Sequence, residues 1–332
     1  MRLGLMLGYW MAGPEDPIDL VVEAERLGFD SVWTAEAYGS DAFSPLCWMG
    51  ARTSRIKLGT AVMQISARTP ACSAMTAATI DHLSGGRLIL GIGVSGPQVV
   101  EGWYGQPFPK PLARTREFVE LFRTMLRREG PVTYRGRHYQ LPTPAGAGLG
   151  KPLKLIMHPL RSQIPIYLGA EGPKNVALAA EIADGWLPLF VSPFRMDIFE
   201  ESLRGAKPGF EIAATVNVII NDDLAQALMP TKIMLAFYLG GMGARSKNFH
   251  LNLMERMGFG DAARHVQALF LAGQRAEAID AVPDQLADEI SLAGPAARIR
   301  ERLEAWMRSP VTTLIAGTRD PAVLRLLAET VL

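Results

Sequence analysis

Short apolar runs alternate with amphipathic segments along almost the whole chain. Eight runs are predicted strands: Leu3–Gly8, Ser31–Thr34, Ile56–Val62, Leu88–Gly93, Pro165–Gly169, Trp186–Phe190, Glu211–Ile220 and Thr312–Ala316. Helical spacing predicts helices at Pro17–Gly28, Ser44–Thr53, Pro70–Leu83, Thr115–Arg128, Pro173–Ala183 and Pro321–Val331. Because a helix follows nearly every strand, the pattern predicts parallel βαβ units.

Eight such units indicate an α/β fold, a (β/α)8 TIM barrel, with an open doubly wound sheet as the alternative that pattern alone leaves open. Two insertions interrupt the alternation. Residues 129–163, rich in Pro and Gly with a possible hairpin strand at Val132–Leu141, follow strand 4, and the mostly helical residues 223–292 follow strand 7. Since no low-complexity linker divides the chain, we predict one domain over residues 1–332. In a barrel the active site lies in the loops after the strands.

Composition removes several classes of protein. The 332 residues include 34 Lys and Arg against 33 Asp and Glu, for a net charge of +1, and 48% are hydrophobic. Balanced charge argues against a nucleic-acid-binding protein, and the hydrophobicity argues against disorder. Two cysteines and five histidines without ligand spacing give no disulfide framework and no metal site. No apolar run reaches the length of a membrane span, so we predict a soluble cytoplasmic protein.

Two glycine-rich loops follow predicted strands. Gly91–Gly96 matches the dinucleotide fingerprint, but Pro97 follows it and the acids Glu117 and Glu120 lie inside a predicted helix, so a Rossmann site is disfavoured. Its glycines suit either close approach to a ligand or an ordinary tight turn. The second loop, Gly169–Lys174, has Pro173 at the start of a helix, where free N–H groups favour a phosphate.

Several polar and aromatic residues follow predicted strands and are candidates for the barrel mouth. Glu36 could exchange a proton or accept a ligand hydrogen bond, and it could equally be a solvated loop acid. Tyr9, Trp10, Trp103 and Tyr104 could form the wall of an apolar pocket or belong to the core.

The ordered motifs of the chain resemble those of the luciferase-like monooxygenase superfamily. The motifs are Ala24–Glu36, Leu58–Val62, Asp81–Gly93, Gly169–Lys174 and Ala183–Trp186. The stretch Gly93–Gly105 is most similar to the coenzyme F420-dependent oxidoreductase branch. Together these segments extend over nearly the whole chain.

The resemblance implies a TIM barrel that binds a flavin or deazaflavin in its mouth. It places a non-prolyl cis peptide at Ala61-Val62, beside Thr60, behind the cofactor ring. Cofactor contacts are implied for Gly93, Val94, Ser95 and Gly96. The cofactor phosphate is implied to lie on the loop of Gly169, Ala170, Glu171, Gly172 and Pro173.

One position departs from the family pattern. Members commonly carry an acidic residue and then a histidine after strand 2, and the histidine often transfers a proton; here Glu36 is followed by Ala37. Glu36 is therefore the candidate catalytic residue, the alternative being that the substrate needs no such proton donor, and Tyr9, Trp10 and Trp103 are candidates for the substrate wall.

The predicted function is hydride transfer between coenzyme F420 and an apolar organic substrate that the sequence does not identify. The same fold with FMN, reduced flavin and oxygen would instead be a monooxygenase. A deazaflavin-binding protein without catalysis is a third reading, and a plain NAD enzyme is disfavoured by the misplaced fingerprint. The resemblance also implies a homodimer.

Overall fold

The computed structural model describes residues 1–10, 16–242 and 248–332. The strands are β1 (Arg2–Gly8), β2 (Ser31–Thr34), β3 (Lys57–Thr60), β4 (Met63–Gln64), β5 (Leu88–Gly93), β6 (Tyr134–Arg135), β7 (Gln140–Leu141), β8 (Ile166–Gly169), β9 (Gly185–Leu187), β10 (Glu211–Ile220), β11 (Ser291–Gly294) and β12 (Thr313–Gly317). The helices are α1 (Ile18–Arg26), α2 (Phe43–Gly50), α3 (Pro70–Leu83), α4 (Pro97–Gly102), α5 (Pro111–Arg127), α6 (Pro173–Ile182), α7 (Glu200–Leu203), α8 (Leu224–Gly240), α9 (Phe249–Arg256), α10 (Gly260–Leu271), α11 (Arg275–Asp280), α12 (Asp284–Glu289), α13 (Ala296–Arg308) and α14 (Pro321–Val331).

Eight parallel strands close into a barrel. The ring runs β1, β2, β3, β5, β8, β9, β10, β12 and back to β1. The closing β9–β10 pair is short and places Gly185 opposite Glu211. Each of the eight predicted strands contributes to this ring, so the predicted (β/α)8 TIM barrel is confirmed and the open doubly wound sheet is wrong.

The barrel interior is filled by side chains from most of its strands. Trp33, Ile89, Tyr167, Leu187, Ala213 and Ile315 form one buried cluster. A larger cluster of apolar side chains fills the space between the strands and the helices. Burying both faces explains why β5 is an unbroken buried run, since a parallel strand in this fold meets no solvent on either side.

The first insertion contains a two-stranded antiparallel ribbon, in which Tyr134 pairs with Leu141. The Glu117 carboxylate on α5 accepts hydrogen bonds from the backbone N–H groups of Arg137, His138 and Tyr139. This carboxylate therefore fixes the turn of the predicted hairpin against the barrel.

The second insertion corrects the prediction for residues 223–292. Besides helices α8 to α12 it holds strand β11, whose Ser291 pairs with Asn217 in the second half of β10. The predicted end of the insertion at residue 292 falls inside this strand. The strand was missed because Ser291–Gly294 is a four-residue run that directly follows a helical stretch. Residues 243–247 of the insertion lie outside the described residues.

Smaller differences concern element ends. A six-residue helix, α4, begins at Pro97. Because proline suits a first helical position, Pro97 does not count against a helix after the Gly91–Gly96 loop, contrary to the prediction. The predicted strand Trp186–Phe190 ends at Leu187. No helix among the described residues is long and apolar enough to cross a membrane.

Candidate active site

The loops that follow the barrel strands meet at one end of the barrel, because parallel strands all point the same way. They include residues after β1, β2, β3, β5 and β8, where the predicted site residues lie. Barrel enzymes place their chemistry at this end. Contacts between neighbouring loops define a candidate site there.

Val62 lies between two strand ends at the centre of this site. The peptide bond Ala61-Val62 is cis, at the position that the resemblance implies. An added Cβ at Gly93 would lie 2.5 Å from a Val62 methyl, and one at Gly169 would lie 2.9 Å from the other methyl. The two glycines are therefore needed to admit the Val62 side chain. The structure brings Ala61, Val62, Gly93 and Gly169 into one place.

Thr60 belongs to the packing beneath this surface. Its side chain is buried, and its Oγ1 donates a hydrogen bond to the Gly91 carbonyl at 2.7 Å. The neighbouring Ala61 N–H donates to the Thr34 carbonyl at 2.6 Å. Thr60 therefore joins β3 to β5 and supports the site through the backbone.

The loop after β5 turns sharply at Ser95, whose φ of +59° lies in the left-handed region. Val94 and Gly96 flank this turn, and both are partly buried. A Cβ on Gly96 would lie 3.7 Å from the Met242 carbonyl, so this loop faces the end of α8. The implied cofactor loop is thus also covered by the second insertion.

The loop after β8 leads directly into α6. The Ala170 carbonyl accepts a 2.7 Å hydrogen bond from Trp186 Nε1, which fixes the loop to β9. Pro173 is the first helical residue, and no side chain caps the helix at Gly172. A Cβ on Gly172 would meet nothing within 4 Å. In the first turn Pro173 has no N–H and the N–H groups of Asn175 and Val176 donate to the Gly172 carbonyl, so the Lys174 N–H is left for a phosphate.

Glu36 is buried, with its side chain only 4% exposed. Its Oε1 accepts hydrogen bonds from Gln64 N–H at 2.9 Å and from Arg68 Nη1 at 2.5 Å. Its Oε2 accepts one from Ala42 N–H at 3.1 Å. The Glu36 backbone N–H also donates to the Val62 carbonyl at 3.3 Å. The carboxylate is therefore bound on both oxygens, and Glu36 ties the β2 loop to the segment between β3 and β4 that carries the cis peptide.

Two of the three residues predicted for the substrate wall lie beside the β2 loop. The Trp10 N–H donates to Ser40 Oγ at 3.0 Å, and the Trp10 carbonyl lies 2.3 Å from a Cβ added to Gly39. Burial, and then the nearby Tyr38, raise the pKa of Tyr9. Residues 11–15, which follow Trp10, lie outside the described residues.

Trp103, the third residue predicted for the substrate wall, is largely exposed. Its side chain is 67% exposed, whereas the hydroxyl of its neighbour Tyr104 donates to the Ala37 carbonyl at 2.9 Å. Burial, and to a lesser degree the Glu36 carboxylate, raise the pKa of Tyr104. Trp103 directly follows α4, and its place in the substrate wall stays a prediction.

Sequence reasoning missed a second group of residues that the insertion brings to the site. Tyr238 on α8 and His250 on α9 contact each other edge to face, with ring centroids 4.8 Å apart. Phe190 contacts both rings, at 5.1 Å and 5.9 Å. His250 Nδ1 lies 2.8 Å from Glu171 Oε1 in the β8 loop. No local signal could have grouped these residues, which are separated by up to 79 positions.

The Tyr238 ring packs against Phe190 and His250. Burial raises its pKa well above the ordinary value, followed by the charges of Tyr9, Glu171 and Tyr38. The described residues contain no cluster of three His, Cys, Asp or Glu side chains that could hold a metal ion.

Comparison with known proteins places the chain in a family. The profile of the luciferase-like monooxygenase family matches residues 4–313. The chain belongs to the luciferase-like monooxygenase family. The membership that its motifs predicted is therefore confirmed.

Relatives of this luciferase-like chain are close in both sequence and structure. A Mycobacterium tuberculosis protein that carries the provisional name of a coenzyme F420-dependent oxidoreductase is 52% identical over 343 positions, which cover 100% of this chain and 99% of that protein. A 5,10-methylenetetrahydromethanopterin reductase of Archaeoglobus fulgidus is 31% identical, covering 89% of this chain and 87% of that protein. The structure of coenzyme F420-dependent tetrahydromethanopterin reductase from Methanopyrus kandleri superposes with a TM-score of 0.80 at 26% identity, covering 99% and 98% of the two chains.

Proposed function

We propose that this protein is a coenzyme F420-dependent oxidoreductase that moves a hydride between F420 and an apolar organic substrate. The observation that carries the proposal is the 52% identity, over the full length of both chains, to a relative named for F420. The similarity in structure to an F420-dependent reductase supports it. F420 bound in the mouth would supply the hydride at carbon C5 of its deazaflavin ring; the protein supplies position and a dry pocket.

The residues at the mouth fit such a cofactor. Val62, packed between Gly93 and Gly169, would form an apolar surface behind the flat ring of the cofactor. Ala61, Val94, Ser95 and Gly96 border that surface. The uncapped start of α6 at Ala170–Pro173 offers backbone N–H groups to the phosphate.

Glu36 is assigned a positioning role in this proposal. Three donors already occupy its carboxylate, and the Arg68 guanidinium keeps a positive charge beside it. Such a group is a poor proton donor, because giving it a proton would break an ion pair and turn a hydrogen-bond acceptor into a donor. Glu36 instead holds Gln64 and the Val62 carbonyl in place beneath the cofactor.

The wall of the substrate space is aromatic. In this proposal Tyr9 and Trp10 contribute from the β1 loop, Tyr104 from the loop after α4 and Tyr238 from α8. A pocket of aromatic rings with a few hydroxyls binds an apolar molecule that carries one or two polar atoms. The particular substrate is left open by these residues.

Equilibrium titration of the purified protein with F420 and, separately, with FMN tests the cofactor. Cofactor fluorescence monitors binding. We expect F420 to bind with a micromolar or lower Kd and FMN to bind at least tenfold more weakly. The titration is repeated with the phosphate-free deazaflavin, which should bind more weakly if the α6 loop holds the phosphate.

Preference for FMN over F420 would contradict the proposal and favour a flavin monooxygenase, the alternative that the family name supplies. Tight F420 binding without hydride transfer to any acceptor would favour a binding protein without catalysis. If neither F420 nor FMN binds, the two glycine-rich loops are structural turns.

We propose further that the protein is a homodimer that pairs through the outer faces of α2 and α3. Trp48 on α2 is 49% exposed, with the Arg52 guanidinium 3.6 Å from its ring centroid, and Met75 on α3 is 57% exposed; large side chains of this kind anchor interfaces. Sedimentation equilibrium should give twice the chain mass, and W48D should shift the protein toward the monomer. A wild-type monomer at about 10 μM, a concentration at which a sub-micromolar dimer stays associated, would contradict the assignment.

The cytoplasmic location stays a prediction from the sequence.

A further inference from the structure

The segment that leads from the antiparallel ribbon into β8 carries exposed apolar side chains. Ile156 is 92% exposed and Leu149 is 87% exposed, and Leu153 and Leu160 are exposed as well. Apolar side chains scattered singly over a surface are ordinary, whereas several in one short segment form a patch of the kind that marks an interaction site. We call these four side chains, together with the exposed Leu83 at the end of α3, the basal patch.

The backbone of this segment holds its exposed side chains outward. Leu155 and Met157 pack against the hydrophobic core, and they alternate with Lys154, Ile156 and His158, which are exposed. Successive side chains of an extended chain point to opposite sides, so the burial of one set directs the other set to solvent. The exposure of Ile156 therefore follows from the packing of its two neighbours.

Hydrogen bonds fix the segment at the end of the barrel opposite the mouth. The Leu155 carbonyl accepts a 2.7 Å hydrogen bond from Arg128 Nε. Arg161 donates both to the buried Asp81 carboxylate, at 2.7 Å, and to the carbonyl of Leu88, the first residue of β5, at 2.6 Å. Because β5 begins here and ends at the mouth, a partner on the basal patch would leave the mouth free.

The end of α3 extends the patch beyond this one segment. His82 Nε2 lies 2.6 Å from the His158 carbonyl oxygen, and a Cβ on Gly86 would lie 3.6 Å from a Leu160 methyl. Leu83 directly follows His82 and is 81% exposed. Two stretches that are distant in sequence therefore bring apolar side chains to the same region of the surface.

Positive charge is interleaved with the apolar side chains. Lys151 and Lys154 are exposed within the segment. No Asp or Glu occurs between Glu129 and Glu171, although the whole chain has 33 acidic residues among 332. The Asp81 carboxylate that the segment contacts is buried in an ion pair. The segment therefore presents apolar and positively charged groups together, and it brings no negative charge of its own.

Three kinds of partner would meet such a surface differently. A second copy of the chain paired through the same patch would bring the lysines of both copies together, which like-charge repulsion opposes. A nucleic acid would pair its phosphates with the lysines and would place charge against the leucines. A bilayer with anionic lipids suits both, because its headgroups attract the lysines and its acyl chains accept the apolar side chains.

We propose that the basal patch docks the protein reversibly on a membrane surface that contains anionic lipids. The leucine and isoleucine side chains enter the boundary between headgroups and acyl chains, while Lys151 and Lys154 stay among the lipid phosphates. A few aliphatic side chains and two lysines give a weak attachment, since stable anchoring takes more apolar surface. The mouth, at the other end of the barrel, faces away from the bilayer. This inference goes beyond the proposed function and does not depend on the cofactor.

Vesicle sedimentation with the whole protein tests the docking. Vesicles of phosphatidylcholine that contain about 40% phosphatidylglycerol are compared with vesicles of phosphatidylcholine alone. We expect the partition coefficient onto the anionic vesicles to be at least tenfold higher. Binding should be lost at about 0.5 M NaCl, because salt screens the attraction between the lysines and the headgroups.

Two double variants separate the apolar contribution from the charged one. I156S/L160S removes apolar side chains and keeps the charge, and K151Q/K154Q removes the charge and keeps the apolar side chains. Each should lower the partition coefficient onto anionic vesicles at least tenfold. Because all four side chains are exposed, we expect the circular dichroism spectrum and the urea midpoint to match wild type.

Matched controls lie away from the patch. Leu271 is an exposed leucine on α10, and Lys110 is an exposed lysine directly before α5. L271S and K110Q should therefore bind anionic vesicles as wild type does. Hydrogen exchange with and without these vesicles then locates the contact: exchange should slow over residues 149–161 and stay unchanged over α10.

The opposite results would overturn the proposal. These are no binding of wild-type protein to anionic vesicles, equal binding to vesicles of phosphatidylcholine alone, wild-type binding by both double variants, and slowed exchange only outside residues 149–161. If wild-type protein ignores vesicles and I156S/L160S lowers the mass found by sedimentation equilibrium, the patch pairs two copies of the chain and the membrane assignment is wrong.

Discussion

Replacing Gly91 with alanine is expected to destabilise the barrel by about 3 kcal/mol or more, at the upper end of the cost of overpacking. The new methyl would lie 1.7 Å from the Thr60 carbonyl oxygen and 2.6 Å from a Leu187 methyl. The nearer atom belongs to the backbone of β3, so no side-chain rotation relieves the clash. Strands β3 and β5 would have to separate, and the hydrogen bond from Thr60 Oγ1 to the Gly91 carbonyl would be lost.

Urea unfolding followed by circular dichroism measures this effect. Gly102 supplies the matched control, because a Cβ there would meet nothing within 4 Å. G102A is expected to lie within about 0.5 kcal/mol of wild type or to be slightly more stable, since alanine is the better helix former. G91A with the stability of G102A would show that β3 and β5 are farther apart than described.

The strand that contains Gly91 shows which features of the fold could be predicted from the sequence. Apolar runs such as Leu88–Gly93 predict buried parallel strands, because a strand buried on both faces has apolar residues at consecutive positions. Trp33 shows the limit of that signal. It fills the barrel interior only because Gly59 opposite leaves room, where a Cβ would lie 2.2 Å from the indole. Such pairs depend on strand register, which the sequence does not display.

Some residues of the candidate site could likewise be predicted from the sequence, and others could not. Val62, Gly93 and Gly169 could be placed from ordered motifs, because Gly93 and Gly169 end β5 and β8 and Val62 lies two residues after β3. His250 and Tyr238 could not, because helices of a long insertion return them to the mouth across many residues. Strand β11 was missed for a related reason: four residues carry too little pattern to stand out beside helices. Local periodicity therefore predicts the barrel, while the pocket depends on contacts distant in sequence.

Replacing Glu36 with glutamine is expected to cost about 2–4 kcal/mol of stability, near the range measured when a buried ion pair loses one partner. The carboxylate accepts hydrogen bonds on both oxygens from Ala42, Gln64 and Arg68. A glutamine side chain keeps one acceptor and presents an amide donor to whichever N–H faces its nitrogen. Arg68, itself mostly buried, would also lose its ionic partner. The loop that carries Val62 should loosen, and affinity for F420 should fall at least tenfold.

Thermal and urea unfolding with the F420 titration test this expectation against E181Q. Glu181 also pairs with an arginine, Arg116, but its side chain is 60% exposed. Exposed pairs contribute about 0–1 kcal/mol, so E181Q should leave both stability and F420 affinity nearly unchanged. A proton donor at Glu36 would give the opposite pattern in E36Q: wild-type stability and F420 affinity, with kcat alone reduced. That result would return the catalytic role to Glu36, whereas a joint loss of stability and affinity assigns it to the support of the cofactor surface.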